Sequence, residues 1–159
     1  MRKILIFGNS GSGKSTLARK LCSADVLSHL DLDILAWMPT VPPERKPLAD
    51  SKPEILDFIS VNRDWVIEGG YTDLLNIALP FSNKMIFMNL PVELCVANAL
   101  SRPWEPHKYK SKEAQDNNLE MLIAWISKYP ERADTFSEAA HKALYEQYTG
   151  AKRTVTINE

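Results

Sequence analysis

Residues 8–15 read GNSGSGKS, and this stretch decides the fold. It matches G-x-x-x-x-G-K-[ST], the phosphate-binding P-loop motif. The apolar run ILIF at residues 4–7 precedes it and is typical of a buried strand, while Leu17, Ala18 and Leu21 follow at helical spacing. The motif therefore lies in the strand, loop and helix context that a working P-loop requires.

Phosphate binding by this motif has a specific physical basis. Glycine permits a curled backbone whose successive N–H groups point inward, at the positive end of the following helix. We expect Lys14 to contact the β- and γ-phosphates and Ser15 to supply a hydroxyl ligand for Mg²⁺. The alternative is a flexible Gly/Ser turn that matches by chance, against which the flanking strand and helix argue. The predicted nucleotide-binding residues of the motif are Gly8, Ser10, Gly11, Ser12, Gly13, Lys14, Ser15 and Thr16.

Length and composition are those of one globular domain. The chain has 159 residues, of which 45% are hydrophobic and 25% charged, so we expect a single domain over residues 1–159. The formal net charge of -1 offers no broad attraction to nucleic acid or to an acidic membrane. This balance argues against direct nucleic-acid binding.

Cysteine usage and hydropathy bear on the compartment. Cys22 and Cys95 lie among apolar neighbours in predicted helices and lack the spacing of metal ligands. We expect buried, reduced thiols and hence a cytoplasmic protein. No apolar run approaches the length of a membrane span, and the first residues lead straight into the strand that the P-loop needs. We therefore expect neither a cleaved signal sequence nor a membrane partner.

A second short strand, within residues 26–33, ends in the acids Asp31 and Asp33. Alternation along a strand places both on one side. Ligands of open α/β sheets bind outside the carboxyl ends of the strands, so these acids are expected to face a bound metal nucleotide. Asp31 would hold Mg²⁺ through water, and Asp33 would accept the proton of an attacking hydroxyl. The alternative is that one or both cap the turn or helix that follows.

Residues 34–62 form a predicted substrate-binding insert. Residues 34–50 carry four prolines and little periodicity, and long irregular loops in compact domains are often binding segments. Trp37 is interpreted either as a substrate contact or as an aromatic cover of the core. Arg45 and Lys46 are interpreted either as contacts to an anionic substrate or as solvated charges.

Residues 101–113 form a second irregular stretch, basic and aromatic, which we interpret as a lid. A lid excludes water that would otherwise hydrolyse the nucleotide. Arg102 is expected to contact the nucleotide and to neutralise charge on the moving phosphoryl group. The alternative is a solvated surface loop.

Further elements are predicted around these inserts. Ser51 and Glu54 have the spacing of a capping box, which predicts a helix ending near residue 61. Glu68 follows a buried strand at residues 65–67 and is interpreted either as part of the Mg²⁺ shell or as part of a plain turn. Arg132 is a weaker candidate for reaching the nucleotide. The other predicted elements are strands at 85–90 and 153–157. The other predicted helices run over 91–100, from residue 119 to the stop at Tyr129-Pro130, and from residue 136 to near Gly150.

Strands that alternate with helices imply a parallel sheet covered on both faces. With a P-loop after the first strand and inserts after the second and fourth, the chain resembles the adenylate kinase-like branch of P-loop proteins. More narrowly, the chain looks like the FlaR-type proteins known as DNA topology modulation proteins. This resemblance is carried by residues 8–21, by residues 29–33 with Trp37, by residues 64–71 and by residues 86–95. The resemblance implies a three-layer α/β/α sandwich with a five-stranded parallel sheet in the order 2-3-1-4-5 and an ATP-binding, kinase-like site.

The segment Asp31-Leu32-Asp33 also looks like the D-x-D motif of shikimate kinases. That resemblance implies that Asp31 is the metal residue and Asp33 the substrate residue or base. The lid departs from the pattern of related kinases, which usually have several arginines there, because Arg102 is its one arginine.

The leading hypothesis is a Mg²⁺- and ATP-dependent phosphotransferase with Lys14, Asp33 and Arg102 as catalytic residues. Its partners would be a nucleoside triphosphate and a small molecule, bound between the two inserts, that offers a hydroxyl or a phosphate as acceptor. The alternative is a nucleotide-binding regulator that influences DNA topology with weak or no kinase activity. A third possibility, a nucleoside monophosphate kinase, differs from the first in its substrate.

Overall fold

The computed structural model describes residues 1–40 and 42–158. Within these residues five strands form one sheet in the order β2-β3-β1-β4-β5, and every neighbouring pair is parallel. The strands are β1 (Lys3–Gly8), β2 (Ser28–Asp31), β3 (Trp65–Glu68), β4 (Lys84–Met88) and β5 (Ala151–Val155). The helices are α1 (Lys14–Ala24), α2 (Leu48–Val61), α3 (Thr72–Ala78), α4 (Val92–Leu100), α5 (Lys112–Asn117), α6 (Leu119–Ser127) and α7 (Glu138–Gln147).

Helices cover both faces of the sheet. Leu5 and Phe7 of β1 point to one face, where they are buried in a core shared with α2, α3 and α7. Ile4 and Ile6 point to the other face and are buried in a second core with Ala18 and other residues of α1, α4 and α6. A strand buried on both sides has no polar face, which explains the unbroken apolar run ILIF. The predicted three-layer sandwich and its strand order are confirmed.

The second strand is shorter than predicted. β2 ends at Asp31, and residues Leu32–Ile34 form a turn of 3-10 helix. Asp31 caps this turn, because its Oδ1 accepts a hydrogen bond of 2.9 Å from the Asp33 N–H. The prediction that Asp33 continues the strand is therefore wrong, and Asp31 caps the turn that follows β2.

The predicted capping box is also wrong. α2 begins at Leu48, so Ser51 lies inside the helix, where its buried hydroxyl donates to the Leu35 carbonyl at 3.1 Å. Pro47 precedes the helix, and its carbonyl accepts from the N–H groups of Asp50 and Ser51. The N-cap is therefore a proline, four residues before the serine that the S-x-x-E pattern indicates.

Other boundaries differ by a few residues. β4 and β5 begin one and two residues before the predicted strands and end two residues before them. α7 begins at Glu138, after Ser137 caps it by accepting from the Ala140 N–H at 3.1 Å, so the predicted start at Phe136 is wrong. α3 was not predicted from the sequence. Four of its seven residues are buried, so it has no amphipathic stripe to indicate a helix.

Cys95 is buried as predicted, whereas Cys22 is only partly buried, and both thiols are free. None of the helices in the described ranges combines the length and the apolar character that a membrane span demands.

Candidate active site

The loop between β1 and α1 depends on glycine at two positions. Gly11 and Gly13 have φ angles of 78° and 91°, in the left-handed region that other residues rarely adopt. A Cβ atom on Gly11 would also lie 2.4 Å from the carbonyl oxygen of Cys95 in α4. The backbone curl expected of a P-loop is thus present, and it packs directly against a neighbouring helix.

This loop presents unpaired amides. Lys14, Ser15 and Thr16 form the first turn of α1, and their N–H groups have no acceptor within the described ranges. The N–H groups of Gly11 and Gly13 likewise have none there. No acidic side chain lies in that first turn. Free amides at the positive end of a helix form an anion site, so the loop is suited to bind phosphate.

Three asparagines hold the loop in shape. Asn9 Nδ2 donates to the Ile126 carbonyl at 3.2 Å. Asn98 Nδ2 donates to the Gly11 carbonyl at 2.8 Å, and Asn158 Nδ2 to the Ser12 carbonyl at 3.1 Å. Two loop carbonyls, those of Gly11 and Ser12, are thus bonded to asparagine side chains, while the amides of Gly11 and Gly13 stay unpaired within the described ranges. Sequence reasoning missed Asn98 and Asn158, since an isolated asparagine carries no motif.

Lys14 and Ser15 begin α1 beside β3. Lys14 Nζ donates to the Asn9 carbonyl at 2.8 Å, and burial lowers the pKa of its ammonium group despite the nearby carboxylates of Glu68 and Asp33. Ser15 Oγ donates to Glu68 Oε1 at 2.7 Å. The side chains of Lys14 and Ser15 therefore lie on the same side of the loop as Glu68 and Asp33.

The oxygen atoms around Ser15 fit a magnesium nucleotide. Asp31 and Glu68 are paired in register at the ends of β2 and β3, which places their backbones next to each other. Burial, followed by the charges of Glu68 and Asp33, raises the pKa of Asp31 to about 6. Hydroxyl and carboxylate oxygens are the ligands that Mg²⁺ prefers, and it usually keeps phosphate oxygens as well. No group of three or more acidic, histidine or cysteine side chains in the described residues forms a metal cage of its own, so the nucleotide would have to complete the shell.

Asp33 lies on the 3-10 turn with its side chain 42% exposed. Tyr71 donates its hydroxyl proton to Asp33 Oδ1, and Lys108 Nζ donates to Asp33 Oδ2 at 3.1 Å. Burial acts to raise the pKa of Asp33, but the Lys108 charge and the Tyr71 hydrogen bond outweigh it and lower the pKa. Asp33 is therefore held as a carboxylate.

The predicted lid lies over the same space. A cavity of about 620 Å³ extends from the P-loop to residues 101–108. Arg102 lines it and pairs with Glu105 at 3.3 Å. Lys108 lines it too and reaches from the lid to the strand ends, 3.9 Å from Asp31. The sequence-predicted site residues that line this cavity are Ser10, Gly11, Gly13, Lys14, Ser15, Thr16, Asp33 and Arg102, whereas Gly8, Ser12 and Asp31 lie behind its wall.

Arg45 and Lys46 of the insert are both paired with carboxylates. Arg45 pairs with Asp73 at 3.0 Å, and its guanidinium group lies 4.9 Å from the centre of the Tyr71 ring. Lys46 pairs with a carboxylate of α2 at 2.9 Å. Trp37 donates its indole N–H to the Tyr71 hydroxyl at 2.9 Å. Neither alternative given for Arg45 and Lys46 describes these contacts, because Arg45 ties the insert to α3 and Lys46 pairs within the insert.

Arg132 does not reach the nucleotide site. Its guanidinium group lies 3.7 Å above the Trp125 ring and donates to the Trp125 carbonyl, and it does not line the cavity. The interpretation of Arg132 as a nucleotide contact is therefore wrong. Tyr71 and Lys108 are the functional candidates that sequence reasoning did not single out. Their partner Asp33 is 38 and 75 residues away along the chain, so no local pattern reveals the contacts.

Comparisons with known proteins assign no family. No family model matches the chain, and no curated protein sequence matches it. Among solved structures, a gluconokinase from Sinorhizobium meliloti 1021 is similar over 99% of this chain and 84% of its own, with 16% identity and a TM-score of 0.49. A likeness of this strength identifies neither substrate nor activity. The FlaR-type and shikimate kinase resemblances gain no support from a family match.

Proposed function

We propose that this protein is a Mg²⁺- and ATP-dependent phosphotransferase that acts on a small molecule. The observation that supports the proposal is that one cavity is lined by groups for both parts of a transfer reaction, the binding of phosphate and the activation of an acceptor hydroxyl. Its lining includes the P-loop, with its unpaired amides and Lys14, and also Asp33, whose carboxylate lies near the Lys14 ammonium group. A site that only binds nucleotide has no need of a carboxylate that can accept the proton of an acceptor hydroxyl.

The proposed reaction uses each group for one task. The loop amides and Lys14 bind the β- and γ-phosphates and stabilise the charge that develops between them. A hydroxyl oxygen of the acceptor attacks the γ-phosphorus, and the bond from the γ-phosphorus to the β–γ bridging oxygen breaks. The electron pair of that bond leaves with ADP, and the hydroxyl proton passes to Asp33, which its lowered pKa keeps in the carboxylate form.

Magnesium belongs to the substrate in this proposal. Ser15, with Asp31 through water and Glu68 beside it, would hold Mg²⁺, which neutralises phosphate charge when bound. Because Ser15 donates to Glu68 at present, its hydroxyl must turn from this carboxylate to offer a lone pair to the metal.

The two inserts enclose the acceptor in this proposal. Residues 34–62 would form its binding side and residues 101–113 the lid. Arg102 would contact the nucleotide and the moving phosphoryl group, after exchanging Glu105 for phosphate oxygens. A lid closed over the cavity would exclude the water that competes with the acceptor.

Transfer is tested by incubating the protein with MgATP and a panel of hydroxylated metabolites and nucleoside monophosphates, with ADP and phosphorylated product measured together. We expect equimolar ADP and product for the wild type and a loss of at least about a hundredfold in Asp33→Asn. Asp57→Asn is the matched control, because Asp57 is exposed on α2 outside the cavity. Bound nucleotide without transfer to any member of the panel would contradict the proposal, and full activity of Asp33→Asn would remove Asp33 as base.

A further inference from the structure

The two oxygens of the Asp33 carboxylate have different kinds of partner. Oδ1 accepts from Tyr71, a side chain of the core that is 5% exposed. Oδ2 accepts from Lys108, which belongs to the lid stretch and lies at the cavity wall. One oxygen is therefore held by the body of the protein and the other by a segment over the cavity.

The Tyr71 hydroxyl is itself held in place. It accepts the indole N–H of Trp37 at 2.9 Å while donating to Asp33. The Tyr71 ring packs edge-on against Phe136 with centroids 5.0 Å apart, and the Arg45 guanidinium covers it at 4.9 Å. The indole can only donate, so the Tyr71 proton has to point toward the carboxylate. Trp37 thereby determines the direction of the Tyr71 hydrogen bond.

The charge around Asp33 selects against an anionic acceptor. A phosphate monoester is usually bound by unpaired arginines and lysines that donate to its oxygens. Here Arg102 pairs with Glu105, and Lys108 lies within 3.9 Å of three carboxylates, those of Asp33, Glu105 and Asp31. Arg45 pairs with Asp73 and does not line the cavity. An incoming phosphate beside Asp33 would meet the carboxylates of Asp33 and Glu68. The basic residues that line the cavity without a carboxylate partner among the described residues belong to other elements, Lys14, Arg19 and Lys20 to α1 and Arg153 to β5, and Lys14 is assigned to the nucleotide phosphates.

We propose that Tyr71, directed by Trp37, is a positioning residue that reserves Asp33 Oδ2 for the hydroxyl of an uncharged acceptor. The acceptor hydroxyl takes the place of the Lys108 ammonium on this oxygen, and Lys108 keeps its contacts to Asp31 and Glu105. The substrate class is thus a neutral hydroxyl compound, such as a sugar or polyol. This inference rests on the proposed phosphotransfer.

The class of acceptor is tested by the chemistry of the product. ATP labelled isotopically in its γ-phosphate is incubated with the protein and a deproteinised cell extract supplemented with neutral sugars, polyols and nucleoside monophosphates. Fragmentation in a mass spectrometer separates labelled phosphate monoesters from labelled diphosphates. We expect monoesters of neutral compounds. A labelled diphosphate would overturn the uncharged acceptor and leave the phosphotransfer standing, whereas no product despite bound nucleotide would overturn the phosphotransfer itself.

The positioning role is tested with Tyr71→Phe and a matched control, Tyr148→Phe. Tyr148 also bonds through its hydroxyl, to Ser82 Oγ at 3.0 Å, but lies outside the cavity. In Tyr71→Phe we expect kcat/KM for the labelled acceptor to fall at least about tenfold, with the Kd for MgATP unchanged. The indole N–H resonance of Trp37, assigned with Trp37→Phe, should shift in Tyr71→Phe and not in Tyr148→Phe. Equal loss in both tyrosine variants, a parallel loss of MgATP affinity, or an unmoved indole resonance would overturn the role.

Discussion

Replacing Lys14 by methionine is expected to weaken MgATP binding without lowering the stability of the ligand-free protein. The ammonium group donates to the Asn9 carbonyl, which also accepts the Ser12 N–H at 3.2 Å and so keeps a partner in the variant. Burial lowers the pKa of Lys14, which shows that the charged form is poorly solvated in the ligand-free protein. We therefore expect the ligand-free stability of Lys14→Met to be unchanged or higher by about 1 kcal/mol.

The loss of nucleotide affinity follows from the contacts that Lys14 makes in the proposed complex. Its charged hydrogen bonds to phosphate oxygens amount to about 3 kcal/mol, or about a hundredfold in Kd. At a MgATP concentration of about 100 times the wild-type Kd, ligand stabilises the wild type by about 2.7 kcal/mol and the variant by about 0.4 kcal/mol. For a chain of this length these values correspond to Tm increases of about 5 to 11 °C and about 1 °C.

Thermal unfolding with and without MgATP measures the ligand-free stability and the ligand-induced increase in Tm. Lys52→Met is the control, because Lys52 is exposed on α2 away from the cavity. The reasoning predicts that only Lys14→Met loses the ligand-induced increase in Tm. A full increase in that variant would refute the assignment of Lys14 to phosphate. A fall of several degrees in its ligand-free Tm would show that the ammonium group supports the fold instead.

Three other changes test separate parts of the structure. Gly11→Ala adds a Cβ at positive φ and 2.4 Å from a backbone oxygen, so its urea midpoint should correspond to a loss of about 2 kcal/mol or more. Gly150→Ala should lose less, because Gly150 has no positive φ and its Cβ would meet a side chain and not the backbone. Burial lowers the pKa of His141 to about 4, whereas a histidine in the unfolded chain has a pKa near 6.5. The free energy of unfolding is therefore unaffected by this difference above pH 6.5 and falls by about 3 kcal/mol as the pH is lowered toward 4. Urea unfolding of wild type and His141→Gln across that range should converge at low pH, and parallel curves would contradict this. Arg45→Lys, which loses the stacking on Trp37, Tyr71 and Phe136, should lower the urea midpoint by about 1 to 2 kcal/mol, and an unchanged midpoint would show that this stack is not stabilising.

The fold could be predicted from the sequence because its determinants are local. Residues 4–7 form a strand without a polar face, and residues 8–15 demand a turn into a helix, so the first strand, loop and helix follow from one motif. The strand order came from the resemblance that this motif carries, and the sheet confirms it. The boundary of α2 could not be predicted in the same way, since Ser51 satisfies its hydroxyl through a tertiary contact to Leu35.

Only the half of the candidate site that the P-loop forms could be predicted from a motif. The motif itself names the residues of that half. Asp33 was found from its place near a strand end, although a turn of 3-10 helix, and not strand alternation, positions it. Tyr71 and Lys108 reach Asp33 from the β3–α3 junction and from the lid, and only the packing of these segments brings them together. Contacts of this kind leave no spacing in the sequence that would reveal them.

The most direct test of the account is an amide NMR titration of the full chain with MgATP and, separately, with adenosine and Mg²⁺. If the P-loop binds the polyphosphate, MgATP will shift the N–H resonances of its unpaired amides far more than adenosine does, while the Asn98 side-chain amide stays bonded to Gly11. The amides concerned are Gly11, Gly13, Lys14, Ser15 and Thr16. Resonances that stay in place at saturating MgATP, or that respond equally to adenosine, would contradict the central claim.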